Sequence, residues 1–226
     1  MTKLFLFDID MTLLWSGGAA VKAMNLAFAR AFGSSDAFAN IEFAGRSDMS
    51  IFRDAARLHG LDGDFPSLLA RFQDAYHATL PQTLREMQGR VMPGIPQLLA
   101  ALKSAPGAFL GLATGNFRQA ARLKLEHYGL HDFFLAGGFG DDSQDRAQIV
   151  ALAIERLAQA VGRDGPRQAY VIGDTPLDVA AARANAACSV AVATGSFSVQ
   201  DLEAAGAGLV FPDFSRWQEA VGALLA

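Results

Sequence analysis

Cysteine is nearly absent from this sequence. Its one cysteine in 226 residues, Cys188, cannot form an internal disulfide. There is no C-x-x-C and no zinc-type Cys/His spacing, so Cys188 in the apolar stretch CSVAVAT reads as a small buried hydrophobe. Excess positive charge is missing as well: 19 Lys and Arg stand against 23 Asp and Glu, a net charge of −4. That balance provides no footprint for nucleic acid or an anionic membrane. No run approaches the roughly 18–20 uncharged apolar residues of a membrane span. The N-terminal apolar run is cut by Asp8 and Asp10, which does not match a secretory signal. These absences predict a cytoplasmic protein with neither nucleic-acid nor membrane partners; they leave oligomeric state open. Hydrophobic residues make up 51% of the chain and charged residues 19%, a composition that builds a core.

Short apolar runs recur at 3–7, 109–113, 133–139, 169–172, 189–193 and 209–211, each closed by a turn signal. Their lengths suit buried parallel strands. Helical periodicity separates them at 96–103, 119–128, 148–161 and 178–185. Strand alternating with helix predicts an α/β fold with a doubly wound, Rossmann-like parallel sheet. Between residue 16 and about residue 90 the pattern is helical only, with breaks at Gly33-Ser34-Ser35 and Gly60-Leu61-Asp62-Gly63. The expected organisation is therefore a core of 1–15 and 91–226 with a small helical cap inserted at 16–90. The many cap phenylalanines read as its packing, and His59 and His77 as surface or packing residues.

Ligands of open α/β sheets bind at the carboxyl ends of the strands. Asp8-x-Asp10-x-Thr12 follows the first apolar run, Thr114-Gly115-Asn116 the second, and Gly173-Asp174-Thr175-Pro176-Leu177-Asp178 the fourth. Any one of these alone reads as a solvated strand cap. Together they deliver four carboxylates to one sheet edge, where mutual repulsion calls for a cation. Oxygen donors without His or Cys suit a hard ion such as Mg²⁺.

The ordered set DIDMT, ATGN and GDTPLD resembles the haloacid dehalogenase superfamily, and within it the phosphoglycolate-phosphatase-like branch with a helical cap. The resemblance implies that Asp8 is the nucleophile that forms an aspartyl-phosphate. Asp10 is then the acid that protonates the leaving oxygen and the base that activates water, which calls for a raised pKa. Asp8 and Asp174 are implied as side-chain ligands of Mg²⁺, Asp10 as a backbone ligand, and Asp178 as an indirect one. Thr114 and the Gly115 amide are implied to hold phosphoryl oxygens, with Thr12 and Asn116 beside them. The basic residue that the family places before the last acidic motif is assigned to Arg146, in the first turn of a helix. Surface pairing with Asp141, Asp142 or Asp145 is the alternative use of Arg146, and Lys124 is set aside because it fits the solvent face of its helix. Met11 stands where the family usually has glycine and is strained if its φ is positive. Arg46, in Phe43-Ala44-Gly45-Arg46-Ser47-Asp48, is placed in a substrate-reading loop of the cap.

An acid two residues after the nucleophile favours phosphate esters, because a halide leaves without a proton. The expected function is Mg²⁺-dependent hydrolysis of a small phosphorylated metabolite. A sugar-phosphate mutase is the alternative, and a non-catalytic phosphate- or partner-binding protein a more distant one.

Overall fold

A computed structural model describes residues 1–162 and 167–226. In chain order the elements are β1 (Thr2–Phe7), β2 (Leu14–Trp15), α1 (Ala19–Phe32), α2 (Asp48–Leu58), α3 (Phe65–Glu86), β3 (Arg90–Val91), α4 (Ile95–Ser104), β4 (Ala108–Ala113) and α5 (Arg118–His127). They continue with β5 (Gly137–Gly138), α6 (Arg146–Val161), β6 (Arg167–Gly173), α7 (Pro176–Ala184), β7 (Cys188–Val192), α8 (Val199–Ala204), β8 (Leu209–Phe211) and α9 (Trp217–Leu225).

The side chains of β1 explain the layers. Successive residues of a strand face opposite sides. Phe5 and Phe7 join α4, α5 and α9 through Leu98, Leu99, Leu125 and Leu224, whereas Leu4 and Leu6 join α6 and α7 through Val150, Leu157 and Ala182. A strand buried on both faces has to be apolar throughout, and Leu4–Phe7 has no exposed surface. The sheet runs β5-β4-β1-β6-β7-β8, with every pair parallel. β1 is therefore flanked by β4 and β6, and the carboxyl ends of these three strands lie side by side.

The predicted strand at 133–139 is a correction. His131–Phe133 forms a 3₁₀ turn, and the strand itself is confined to Gly137–Gly138, beside β4. The aromatic residues serve a different purpose: Phe133 and Phe134 fold under the sheet, with Phe134 edge-on to Phe7 at 6.1 Å. The edge then passes so close to α6 that a Cβ on Gly138 would meet the Ile149 carbonyl at 2.1 Å. Cys188 is half-buried at the start of β7, against the Gln168 amide. β2, β3, α8 and α9 were not anticipated. Among the described residues no helix is long and apolar enough to cross a membrane.

Helices α1 to α3 form a helical insertion between β2 and β3. β2 and β3 pair antiparallel where the chain leaves and re-enters the sheet region. The insertion has its own core, in which Phe72 stacks on Phe52 at 4.5 Å and on Tyr76 at 5.8 Å, and Phe28 meets Phe38 at 5.7 Å. Phe117, at the start of α5, reaches up into the same cluster. Ser47 and Asp64 cap α2 and α3 by accepting the Ser50 and Ser67 amides. Phe72 has no exposed surface. Phe72→Ala is expected to lower stability by about 3–5 kcal/mol, the usual effect of emptying a buried aromatic site. Urea denaturation measures this, and a loss below about 1 kcal/mol would show that the site collapses around the gap.

Candidate active site

Asp8 is the first residue beyond β1 and sits at the centre of the sheet edge. Its backbone N–H still bonds to the Ile172 carbonyl of β6, so the strand fixes where its carboxylate begins. The chain then turns sharply: the amides of Thr12, Leu13 and Leu14 all bond to the Ile9 carbonyl. The turn takes Asp10 out of the line of the strand, so its carboxylate does not simply repeat the direction of Asp8. Met11 takes φ +61° inside it and is held by the Leu14 carbonyl and by the Thr194 hydroxyl. The positive φ is the strain expected of a side chain in a glycine-like position.

Three carboxylates converge. Asp8, Asp174 and Asp178 each place an oxygen within 4.8 Å of the others, and all three are buried. Arg146 lies among them, with Nη2 3.0 Å from Asp8 and 2.5 Å from Asp178. The alternative pairing with Asp141, Asp142 or Asp145 is not made. Asp145 instead caps α6 by accepting the Ala147 amide. Burial works against the Arg146 charge, but Asp178 and Asp8 outweigh it and raise its pKa further. One guanidinium does not balance three carboxylates. Burial raises the Asp8 pKa, opposed mainly by Arg146. Burial, with repulsion from Asp8 and Asp178, pushes Asp174 up to about 8. A buried, all-oxygen cluster with surplus negative charge fits a divalent metal.

The supports of the cluster come from the neighbouring turns. Asp178 completes a reciprocal cap of α7: its Oδ2 accepts from the Thr175 N–H and hydroxyl, while its Oδ1 holds Arg146. Thr12 is fully buried and donates to Asp174 at 3.2 Å, which places it behind the cluster. Gly195 lets the loop after β7 close on Asp174, since a Cβ there would lie 1.9 Å from Oδ2.

Asp10 faces the other way. Its carboxylate is 41% exposed. Lys124 Nζ lies 2.8 and 2.6 Å from its two oxygens and 2.5 Å from Asn116 Oδ1. The Asn116 amide in turn donates to Asp10 and to the Thr114 hydroxyl, both at 2.8 Å. The assignment of Lys124 to a solvent face is therefore a correction, since only 1% of the residue is exposed. The buried face of α5 is Ala120, Ala121, Lys124 and Leu125. The small alanines, one turn before Lys124 and Leu125, mark that face in the sequence.

The insertion closes over this edge. The Asp48 N–H bonds to the Gly115 carbonyl, and Asp48 Oδ2 accepts the Phe117 N–H, both at 2.8 Å. Gly115 has to be glycine here, because a Cβ would meet the Arg46 carbonyl at 2.2 Å. Arg46 lies beside the site, but its guanidinium pairs with Asp54 at 2.6 Å. A chamber of about 270 Å³ remains between insertion and sheet edge, and Asp8, Asp10, Arg46, Gly115, Asn116 and Arg146 are among its lining residues. His59 contacts Ser34 and the Phe28 ring, and His77 packs on Phe117, so neither reaches the site.

Burial, offset in part by Lys124, pushes Asp48 up to about 7. The folded protein thus keeps this proton after the unfolded chain has released it near pH 4. Stability present at low pH is lost as the pH rises through 7. Asp48→Asn keeps an acceptor for the Phe117 N–H and removes the titration. Its stability relative to the parent is expected to improve by about 2–3 kcal/mol from pH 5 to pH 8, measured by urea denaturation. A constant difference would rule out Asp48 as the source.

A family model described as haloacid dehalogenase-like hydrolase matches residues 2–185. The phosphoglycolate phosphatase of Rhodospirillum rubrum is 30% identical over 227 residues, covering 98% of this chain and 92% of its own length. A solved structure of a predicted phosphatase from Clostridium acetobutylicum superposes with a TM-score of 0.71 at 22% identity, covering 100% of this chain and 99% of its own. A putative beta-phosphoglucomutase from Bacteroides vulgatus superposes with a TM-score of 0.65 at 24% identity, covering 99% of this chain and 90% of its own.

Proposed function

The chain belongs to the haloacid dehalogenase-like hydrolase family, and within it we propose a Mg²⁺-dependent phosphatase that hydrolyses a small phosphomonoester through an aspartyl-phosphate on Asp8. The observation that carries this is the buried Asp8, Asp174 and Asp178 cluster around Arg146, with a second carboxylate, Asp10, two residues after the first. The comparison with phosphoglycolate phosphatases supports the same reaction class.

In this reading an Asp8 oxygen attacks phosphorus and the bond to the alcohol oxygen breaks, with Asp10 supplying the proton that the alcohol takes away. Asp10 then removes a proton from water, the water oxygen attacks phosphorus, and the bond to Asp8 breaks to release phosphate. Asp8, Asp174 and the Asp10 carbonyl would hold Mg²⁺, which would supply positive charge to offset repulsion between the carboxylate and the phosphoryl group. Arg146 adds a fixed positive charge beside Asp8, and Asp178 holds Arg146 in place. Thr114 and the Gly115 amide hold the phosphoryl oxygens, and Asn116 orients Thr114 and Asp10. Lys124 is a positioning residue: it sets the direction of the Asp10 carboxylate. The core is residues 1–15 and 91–226. The insertion, 16–90, acts as a cap hinged at the β2–β3 pair, which closes to exclude water during transfer.

A sugar-phosphate mutase has to hold a second phosphate during turnover. Arg46, the cap cation beside the chamber, is already neutralised by Asp54, which favours hydrolysis.

The first test is phosphate release from acetyl phosphate or p-nitrophenyl phosphate, expected with Mg²⁺ and lost with EDTA. Asp8→Asn is expected to lower kcat by at least about a thousandfold without lowering Tm. Turnover within about tenfold of the parent would remove Asp8 from the nucleophile's role.

Lys124→Met is expected to lower kcat at least about tenfold more for alkyl phosphates than for p-nitrophenyl phosphate, because only a poor leaving group needs the proton from Asp10. An equal loss on both substrates would reduce Lys124 to a structural role.

A further inference from the structure

We infer that the alcohol half of the substrate is uncharged and carries an apolar or aromatic body, so that phosphoglycolate, whose alcohol half ends in a carboxylate, is a poor substrate of this chain. The inference rests on the phosphatase reading of the site and concerns the part of the chamber that the phosphoryl group does not occupy.

The chamber has two different ends. One is the carboxylate edge with Asp8, Asp174 and Arg146. The other is built by the insertion and the segment leading into it, from Trp15, Val21, Met24, Phe43 and Ile51. Val21 and Met24 are three residues apart on α1 and so share a face. Ile51 comes from α2 and Phe43 from the loop before it. Trp15 and Val21 are each 39% exposed, an exposure that few large apolar side chains of the described residues share. Trp15 is held in position by the Arg90 guanidinium, which lies 4.7 Å from the centre of its ring. An apolar wall in a concave site favours a ligand of matching polarity.

Charge points the same way. An anionic alcohol half needs a cation that is not already matched. Arg146 is shared by Asp8 and Asp178, and Lys124 is taken by Asp10 and Asn116. Arg46, the cation on the cap side, pairs with Asp54 at 2.6 Å and donates to the Glu42 carbonyl at 3.2 Å. No other Lys or Arg lines the chamber among the described residues. Asp48, which does line it, would repel a carboxylate whenever ionised. A carboxylate entering here gives up water without gaining an ion-pair partner, which is unfavourable. The size, about 270 Å³, sits near the lower end of small-molecule sites and suits a phosphoryl group with a body no larger than a single ring.

The closing experiment compares phosphoglycolate with its methyl ester, which keeps the skeleton and removes the charge, and with 2-phenylethyl phosphate. Acetyl phosphate with Mg²⁺ serves as the control for the phosphatase reading. The methyl ester is expected to exceed phosphoglycolate in kcat/KM by at least tenfold, with 2-phenylethyl phosphate higher still. Val21→Arg puts a cation at the exposed mouth of the chamber and should shift the ratio toward phosphoglycolate by at least tenfold. Turnover of acetyl phosphate together with a preference for phosphoglycolate over its ester would overturn the inference and leave the phosphatase standing. No turnover of acetyl phosphate or any ester would overturn both.

Discussion

The constraint on which this structure depends is the confinement of three carboxylates around a single guanidinium. Asp8, Asp174 and Asp178 come from two strand ends and one helix start, and none of them can move away without leaving its element. Arg146 enters from the first turn of α6, where the helix dipole disfavours a cation. The side chain is long enough to carry its charge out of that turn and into the cluster. An unfavourable start to a helix is thereby compensated by two ion pairs. Asp178 shows the same economy, since one of its oxygens caps α7 while the other restrains Arg146. The groups that hold the helices in register also hold the charges in place.

The helical insertion depends on this edge in turn. Its loop at 43–48 does not simply lie over the sheet; it uses backbone groups of the Thr114-Gly115-Asn116 turn as hydrogen-bond partners. Asp48 is the first residue of α2, and its carboxylate accepts the amide of Phe117, the residue that precedes α5, so it ties the starts of the two helices together. Phe117, one residue past Asn116, anchors in the aromatic cluster of the insertion. The strand-end turn that brings Gly115 and Asn116 to the chamber is therefore shaped from both sides.

Much of this was legible in the sequence, for a physical reason. Central parallel strands are apolar runs, and a carboxylate at the end of such a run stands out, so β1, β4 and β6 and the residues after them were found within a residue or two. Edge elements were harder. Gly137 and Gly138 pair because glycine lets backbone and helix approach closely, a signal opposite to the apolar content of the segment before them. β2 and β3, two residues each, have no periodicity to detect. Lys124 was misplaced because charge normally implies solvent. Its helix face is marked by alanines, whose small size leaves room for a buried amine. Met11 was flagged by comparison with a glycine position, and its positive φ follows from the tight turn that three amides make on the Ile9 carbonyl.

Asp8 and Asp10 end the same strand, yet they occupy opposite electrostatic settings. Asp8 is buried with a guanidinium and two further carboxylates, a setting that calls for more positive charge. Asp10 is half open to the chamber, and its negative charge is already matched by a buried amine. The bend between them makes this possible, because in an extended strand two residues that are two positions apart would point to the same face of the sheet. In the reaction proposed above, two carboxylates so separated do different work at one phosphorus atom. One is held where charge accumulates, and the other where a proton can enter and leave. Lys124 and Arg146 are therefore not interchangeable basic residues that complete a site. Lys124 belongs to Asp10 and Arg146 to Asp8 and Asp178, and the division of labour proposed for Asp8 and Asp10 rests on keeping the two groups apart.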